Sequence, residues 1–196
     1  MSPSDHRRAL EPVIDALEQL EVFHFIGGSV ASSAHGIART TIDADVIADL
    51  QTHHADLCAR ILQDDYYVDA DAIRRAVMAR SSFNVIHLAT MYKVDVYAIR
   101  GRPFDREQSK RIVTGPLFAD TSRTFPMASA EDTILCKLEW YRMGDGVADR
   151  QWTDVVNVMK VQRDNLDRGY LRRWAVELGV ADLLDEAWRE ADALGA

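Results

Sequence analysis

Asp43 and Asp45 stand two residues apart in Ile42-Asp43-Ala44-Asp45-Val46-Ile47-Ala48, a run whose apolar and β-branched residues predict a strand. Side chains alternate across a strand, so both carboxylates project from one face, about 7 Å apart along the chain. Two like charges so placed call for a cation. Asp95 lies between Val94 and Val96 in another predicted strand, where an ionised carboxylate is costly to bury without a metal, a donor or a positive neighbour. Three acids on adjacent strands suit a pair of Mg²⁺ ions, or Mn²⁺ in their place. Such hard cations take oxygen ligands and clamp the attacking and leaving oxygens of a phosphoryl displacement. Taken singly, each acid reads as a solvated strand edge or a satisfied buried group.

The combination with Gly27-Gly28-Ser29 is more specific. This turn joins a predicted strand to a predicted helix. Backbone N–H groups at a helix N-terminus, with no Cβ in the way, can receive phosphate oxygens, and the Ser29 hydroxyl adds a donor. A Gly-Gly-Ser turn alone is usually just a turn, and the G-x-G-x-x-G dinucleotide fingerprint is missing. Here it is followed by Arg39-x-Thr41-x-Asp43-x-Asp45 and later by Asp95.

The elements that must position these groups follow from periodicity. Leu10, Val13, Ile14, Leu17 and Leu20 predict an amphipathic helix over 6–20, and Val22 to Ile26 a strand ending at Gly27. Small residues through 30–35 let a helix pack close to a sheet, with Gly36 as its stop. Further helices are expected over 53–62, with Leu57, Ile61 and Leu62 on one side, and over 71–79. Strands at 83–88 and 93–99 are separated by a turn-length connection and should pair antiparallel. Residues 100–123 read as loop, a short helix and an edge strand. Ser129-Ala130-Glu131-Asp132 matches a helix-start pattern. It opens helices at about 129–142, 149–162, 167–178 and 181–193, punctuated by Gly144, Gly146, Gly169 and Gly179. The fold class is therefore α+β: a small mixed sheet with flanking helices over residues 1–127, then a helical bundle over 128–196 that completes the cleft.

Composition bounds the partners. The chain has 196 residues, 47% hydrophobic and 28% charged, with a formal net charge of −8. That is globular usage, and the acidic balance speaks against a general electrostatic grip on nucleic acid. No apolar run reaches the roughly 18 residues of a spanning helix, and the N-terminal residues lack the apolar core of a signal peptide, so a cytoplasmic protein without a membrane partner is expected. Cys58 and Cys136 read as reduced packing residues. The stretch Arg74 to Arg111 holds nine basic residues and three acids, +6 within an acidic chain. It can form a local track for an anionic acceptor, or a solvated face with a few ion pairs. His53-His54 reads as a surface helix start, and His24 and His87 as satisfied core histidines. Trp140, Trp152, Trp174 and Trp188, with Met143 and Met159, are assigned to packing of the helical half.

The spelling Phe25-Ile26-Gly27-Gly28-Ser29, followed by Arg39-x-Thr41-x-Asp43-x-Asp45, resembles the nucleotidyltransferase superfamily typified by DNA polymerase β. It looks most like the branch of AbiEii-type toxins of bacterial toxin–antitoxin systems. The resemblance covers residues 22–160 and matches Lys137 and Asp154 to that branch's two helical motifs. It implies transfer of a nucleoside monophosphate from an NTP to an acceptor hydroxyl. Gly28 and Ser29 would hold the β- and γ-phosphates, and Gly27 and Arg39 would lie at the nucleotide site, Arg39 pairing with an acid or a phosphate. Asp43, Asp45 and Asp95 would hold two Mg²⁺ ions. Lys137 would face the triphosphate, and Asp154 would orient the base, the acceptor or Lys137. The first acceptor expected is an RNA 3′ end, if the +6 stretch lines the cleft, with a cognate antitoxin or toxin as partner. AMP transfer to a partner protein, nucleotidylation of a small molecule such as an aminoglycoside, and a catalytically silent neutralising subunit are the alternatives.

Overall fold

The computed structural model describes residues 3–41, 43–118, 121–144 and 149–193. Ile42 and Gly146 lie outside the described residues. The chain opens with α1 (Pro3–Gln19), β1 (His24–Ile26), α2 (Gly28–His35), β2 (Asp43–Ala48), α3 (Ala55–Leu62), β3 (Tyr66–Tyr67), α4 (Ala70–Ala79), β4 (Ser82–His87) and β5 (Lys93–Ala98). It continues through α5 (Pro103–Gln108), β6 (Val113–Pro116), β7 (Thr124–Met127), α6 (Ala130–Met143), α7 (Asp149–Gln162), α8 (Arg168–Glu177) and α9 (Ala181–Ala193).

The strands form one mixed sheet in the order β3-β4-β5-β2-β1-β7-β6. β4 and β5 make the expected antiparallel pair, whereas β2 and β5 run parallel. That parallel pairing puts Asp45 opposite Asp95 and Asp43 opposite Lys93. β3 and β7 are not anticipated by periodicity, because pieces of two and four residues carry too little pattern. β7 pairs parallel with β1 through Ile26 and Met127 and so delivers the chain to the start of α6.

Alternation sorts each central strand between core and cleft. Ala44, Val46 and Ala48 from β2, with Val94 and Val96 from β5, are buried; the first core gathers them under α1, α3 and α4. Asp43, Asp45, Asp95 and Tyr97 take the other face and line the cleft. In α3 the buried stripe is Ala55, Cys58 and Leu62, and Leu57 is exposed, because the i, i+3, i+7 row reaches the core and Leu57 falls off it.

A second core joins Ile134, Leu135 and Leu138 of α6 to Val155, Val158 and Met159 of α7 and to α8 and α9. Phe104 of α5 packs into this helical core from the sheet half, with its ring 5.4 Å from that of Trp174. Ser129 caps α6 by accepting from the Asp132 amide at 3.1 Å, as the helix-start pattern predicts. Among the described residues, no helix is long and apolar enough to cross a membrane.

Candidate active site

The cleft lies between the carboxylate face of the sheet and α6, with a volume of about 770 Å³, within the range of small-molecule sites. Gly27, Gly28, Ser29, Arg39, Asp43, Asp45, Asp95 and Lys137 all line it. The structure thus brings together every sequence-predicted site residue except Asp154.

Gly28 is the pivot. Its φ is +53°, and a Cβ there would lie 1.6 Å from Asp45 Oδ2. Only glycine lets the backbone turn this close to the carboxylate. The Gly27 amide donates to the Asp45 carbonyl at 2.9 Å, which fixes the turn against β2. The first intrahelical bond of α2 is donated by Ala31 to the Gly27 carbonyl, so the amides of Gly28, Ser29 and Val30 precede the helical ladder. They form an N-terminal donor group beside the acids.

Hydroxyls orient the outermost acid. Thr41 Oγ1 donates to Asp43 Oδ1 at 3.0 Å, and Ser29 Oγ lies 3.2 Å from Thr41 Oγ1. Ser29, whose side chain reads from sequence as a phosphate donor, is therefore tied to Thr41, and its amide remains the group at the helix end.

The acids carry more negative charge than their neighbours cancel. Burial, with repulsion from Asp43 and Asp95, pushes the Asp45 carboxyl up to about 6, against the pull of Lys137 and Lys93. Asp95 is buried and receives Lys93 Nζ at 2.7 Å. Among the described residues no three potential ligands already close around one point. The donor set nevertheless suits a hard divalent ion: three carboxylates on one face, whose burial and mutual repulsion a cation would relieve. Asp43, Asp45 and Asp95 would hold it.

Asp154 sits below the cleft. It accepts from Arg39 Nε and Nη2, each at 2.8 Å, and Ser32 Oγ lies 3.2 Å away. Lys137 Nζ is 2.8 Å from the same carboxylate and donates to Gln151 Oε1 at 2.8 Å. Burial alone would raise its pKa, but the Arg39 hydrogen bonds and the Lys137 charge hold it below the ordinary carboxylate range. Asp154 therefore acts as an anchor joining α2, the segment after it, α6 and α7, with no oxygen left to meet a substrate. It positions Lys137, which is 3% exposed rather than a surface lysine. Of the two partners open to Arg39, the structure supplies the acid.

The opposite wall is not predicted from the sequence pattern. Tyr97 and Trp140 meet edge to face at 68° with ring centroids 6.3 Å apart, and Ile99 and Met143 extend this shelf. Trp140 and Met143 are 44% and 59% exposed, so they belong to the cleft and not to the packed core expected for them. Below the shelf Arg102 bridges Asp105 at 2.9 Å and Glu139 at 2.5 Å. Two signals were available in the sequence: Tyr97 shares a strand face with Asp95 at i+2, and Trp140 shares a helix face with Lys137 at i+3.

The +6 stretch does not remain +6 in space. Six of its nine basic residues are paired: Arg74 with Asp56 and Asp71, Arg75 with Asp69, Lys93 with Asp95, Arg102 with Asp105 and Glu139, Lys110 with Glu107, and Arg111 with Glu131. Five of those acids come from outside the stretch. Only Arg100 and Arg102 of the nine are among the described residues lining the cleft.

The remaining assignments resolve simply. Cys58 and Cys136 are free thiols; Cys58 is buried, and Cys136 borders the cleft and accepts from Gln108 at 3.5 Å. His87 Nδ1 is 2.8 Å from Thr90 Oγ1, as a satisfied core histidine should be, whereas His24 is only half satisfied: its Nδ1 is 2.9 Å from the Val22 carbonyl and its buried Nε2 has no partner among the described residues.

In fold the chain is similar to several solved structures. The antibiotic-resistance factor ANT(2″)-Ia shares 14% identity at a TM-score of 0.53, covering 98% of this chain and 96% of that one. The lincosamide antibiotic adenylyltransferase LnuA, solved with lincomycin bound, shares 17% at 0.52, covering 79% and 96%. An antigenic nucleotidyltransferase-like protein from Paracoccidioides brasiliensis shares 13% at 0.53, covering 75% and 72%. No family model and no curated protein matches the sequence. The likeness establishes the nucleotidyltransferase-like α+β fold; it does not reach to the AbiEii-type branch.

Proposed function

We propose that this chain is a Mg²⁺-dependent nucleotidyltransferase that moves a nucleoside monophosphate from an NTP to a hydroxyl of a small acceptor molecule. One observation carries the reading: Asp45 and Asp95 face each other in register, with Asp43 two residues along, beside a glycine whose missing Cβ admits the Asp45 carboxylate. A metal held by these acids would polarise the α-phosphate and lower the pKa of the acceptor hydroxyl. The amides of Gly28, Ser29 and Val30 bind the β- and γ-phosphates at the start of α2. Lys137, immobilised by Asp154 and Gln151, presents a fixed positive charge to the triphosphate. The acceptor oxygen forms its bond to the α-phosphorus as the bond to the bridging oxygen breaks, and pyrophosphate leaves. The acceptor proton passes to Asp95, the acid farthest across the sheet from Gly28.

Phosphates on the α2 side leave the β5 side for the acceptor. There the shelf of Tyr97 and Trp140, above the carboxylates of Asp105 and Glu139, offers a ring-sized apolar surface with polar acceptors at its edge. Two of the fold neighbours are an antibiotic-resistance factor and a lincosamide antibiotic adenylyltransferase, which favours a compact acceptor. The reading of an RNA 3′ end rested on the +6 stretch, most of which is neutralised in place.

The test is incubation of the purified protein with Mg²⁺ and each α-labelled NTP, together with aminoglycosides, lincosamides, total RNA or protein extract. Label moving to a small molecule with release of pyrophosphate is the expected result. Label in RNA or in a polypeptide would transfer the assignment to the toxin-type or protein-modifying reaction. No pyrophosphate under any condition would reduce the chain to a silent binding subunit.

A further inference from the structure

Lys93 starts β5 on the same face as Asp95, and its Cα is registered with Asp43 across the ladder to β2. Among the described residues it is the only cation that makes an ion pair with any of the three acids, its ammonium donating to Asp95 Oδ2 at 2.7 Å. The other lysine near the acids, Lys137, is bound to Asp154 and Gln151 with a side chain 4% exposed, and has nowhere to go. The Lys93 side chain is 39% exposed and reaches water directly. A solvent-exposed cation therefore covers an oxygen of one of the three acids, while the buried cation is held elsewhere.

We infer that Lys93 is a resident counter-ion of the site: it neutralises Asp95 when no divalent ion is bound and must leave Asp95 when one arrives, so that metal binding is an exchange of cations. The inference rests on the metal-site reading of the previous subsection. Without Lys93 the acids would face one another with a larger excess of negative charge, which makes the metal-free fold weaker and the site more attractive to a divalent ion. Lys93 thereby positions Asp95 and sets metal affinity without touching substrate. With the lysine end of the pair open to solvent the interaction is screened, so the exchange should lower metal affinity only by about fivefold.

The experiment uses the full chain and Mn²⁺ alone as probe, titrated by electron paramagnetic resonance into wild type, Lys93→Gln and Asp95→Asn. Lys93→Gln should bind Mn²⁺ about fivefold more tightly than wild type, melt earlier than wild type in chelator, and gain more from saturating Mn²⁺. In wild type, acylation of Lys93 read by peptide mass spectrometry should rise severalfold on Mn²⁺ saturation, with exposed Lys110 as the unchanged internal control. This second measurement decides the matter if the variant does not fold. Equal or weaker Mn²⁺ binding by Lys93→Gln, or an unchanged Lys93 acylation rate, overturns the exchange while leaving the metal site standing, provided that Asp95→Asn weakens binding. If folded wild type binds no Mn²⁺ at all, the metal-site reading fails and the exchange fails with it.

Discussion

Asp45, half-buried, and Asp154, buried, are aspartates near one cleft, and their surroundings drive them in opposite directions. Asp45 lies among other acids; burial and repulsion push its carboxyl up to about 6. Asp154 lies among Arg39, Lys137 and Ser32, which outweigh burial and hold it below the ordinary range. The first region is left short of positive charge, and the second is fully compensated. A deficit of cations in a cleft marks a place prepared for a cationic ligand, whereas a saturated carboxylate in the interior marks a joint between elements. Residue type is shared and neither acid is fully exposed; the partners separate the roles.

The comparison breaks most decisively on activity. Asp43→Asn or Asp45→Asn should lower Mg²⁺-dependent nucleotidyl transfer at least about a thousandfold, some 4 kcal/mol of barrier, in a labelled-NTP assay. Wild-type turnover in either variant would remove the acids from the chemistry.

Next in size, Asp154→Ala should cost about 3–5 kcal/mol in urea unfolding, because it strands the buried Lys137 ammonium without its carboxylate. The folded-state pKa of Asp154 lies below its unfolded value, so its contribution is complete above about pH 4 and fades as the pH falls further. A loss below about 1 kcal/mol would show that this hub is not a joint.

The same change of charge at Asp45 should act with the opposite sign. Its folded-state pKa of about 6 lies above the roughly 3.9 of an unfolded chain, so the metal-free fold holds this proton more tightly. Rising pH from about 4 to 6 then costs stability, in full above 6. Asp45→Asn removes that titration and should be about 3 kcal/mol more stable than wild type at pH 8 in chelator, with the gain vanishing near pH 4. Chemical denaturation at the two pH values measures it.

A third buried acid sharpens the contrast. Asp132 accepts from Tyr170 Oη at 2.6 Å and from Ser129 Oγ at 2.9 Å, yet burial still keeps its carboxyl above the ordinary value. Among the described residues it has donors but no direct ion pair. Tyr170→Phe should cost about 2 kcal/mol, less than Asp154→Ala, because only one neutral donor is removed from a buried oxygen.

Much of the scaffold was legible from local pattern. The 3.6-residue rows of Leu10, Val13, Ile14 and Leu17 and the alternation of Asp43 with Asp45 depend on neighbours in sequence, so spacing reveals them. The shorter strands β3 and β7 were not legible, being too short to carry a period. Trp140 and Met143 were read as core because apolar type does not reveal which side of a helix meets a cleft. Of the two readings open to residues 74–111, the structure supplies the ion-paired face, and spacing could not choose it because Asp56, Asp69, Glu131 and Glu139 arrive from other segments.

The sequence by itself determined the strand faces of the three acids, the glycine turn that precedes them and the order of helices around them. Tertiary structure alone decided that Asp45 and Asp95 would share a register, that Asp154 would be consumed by Arg39 and Lys137, and that Lys93 would cover Asp95. Local backbone geometry repeats every two or 3.6 residues and is written in spacing. The state of a carboxylate depends on which charges come within a few ångströms, and folding can draw those charges from as far along the chain as Arg39 lies from Asp154.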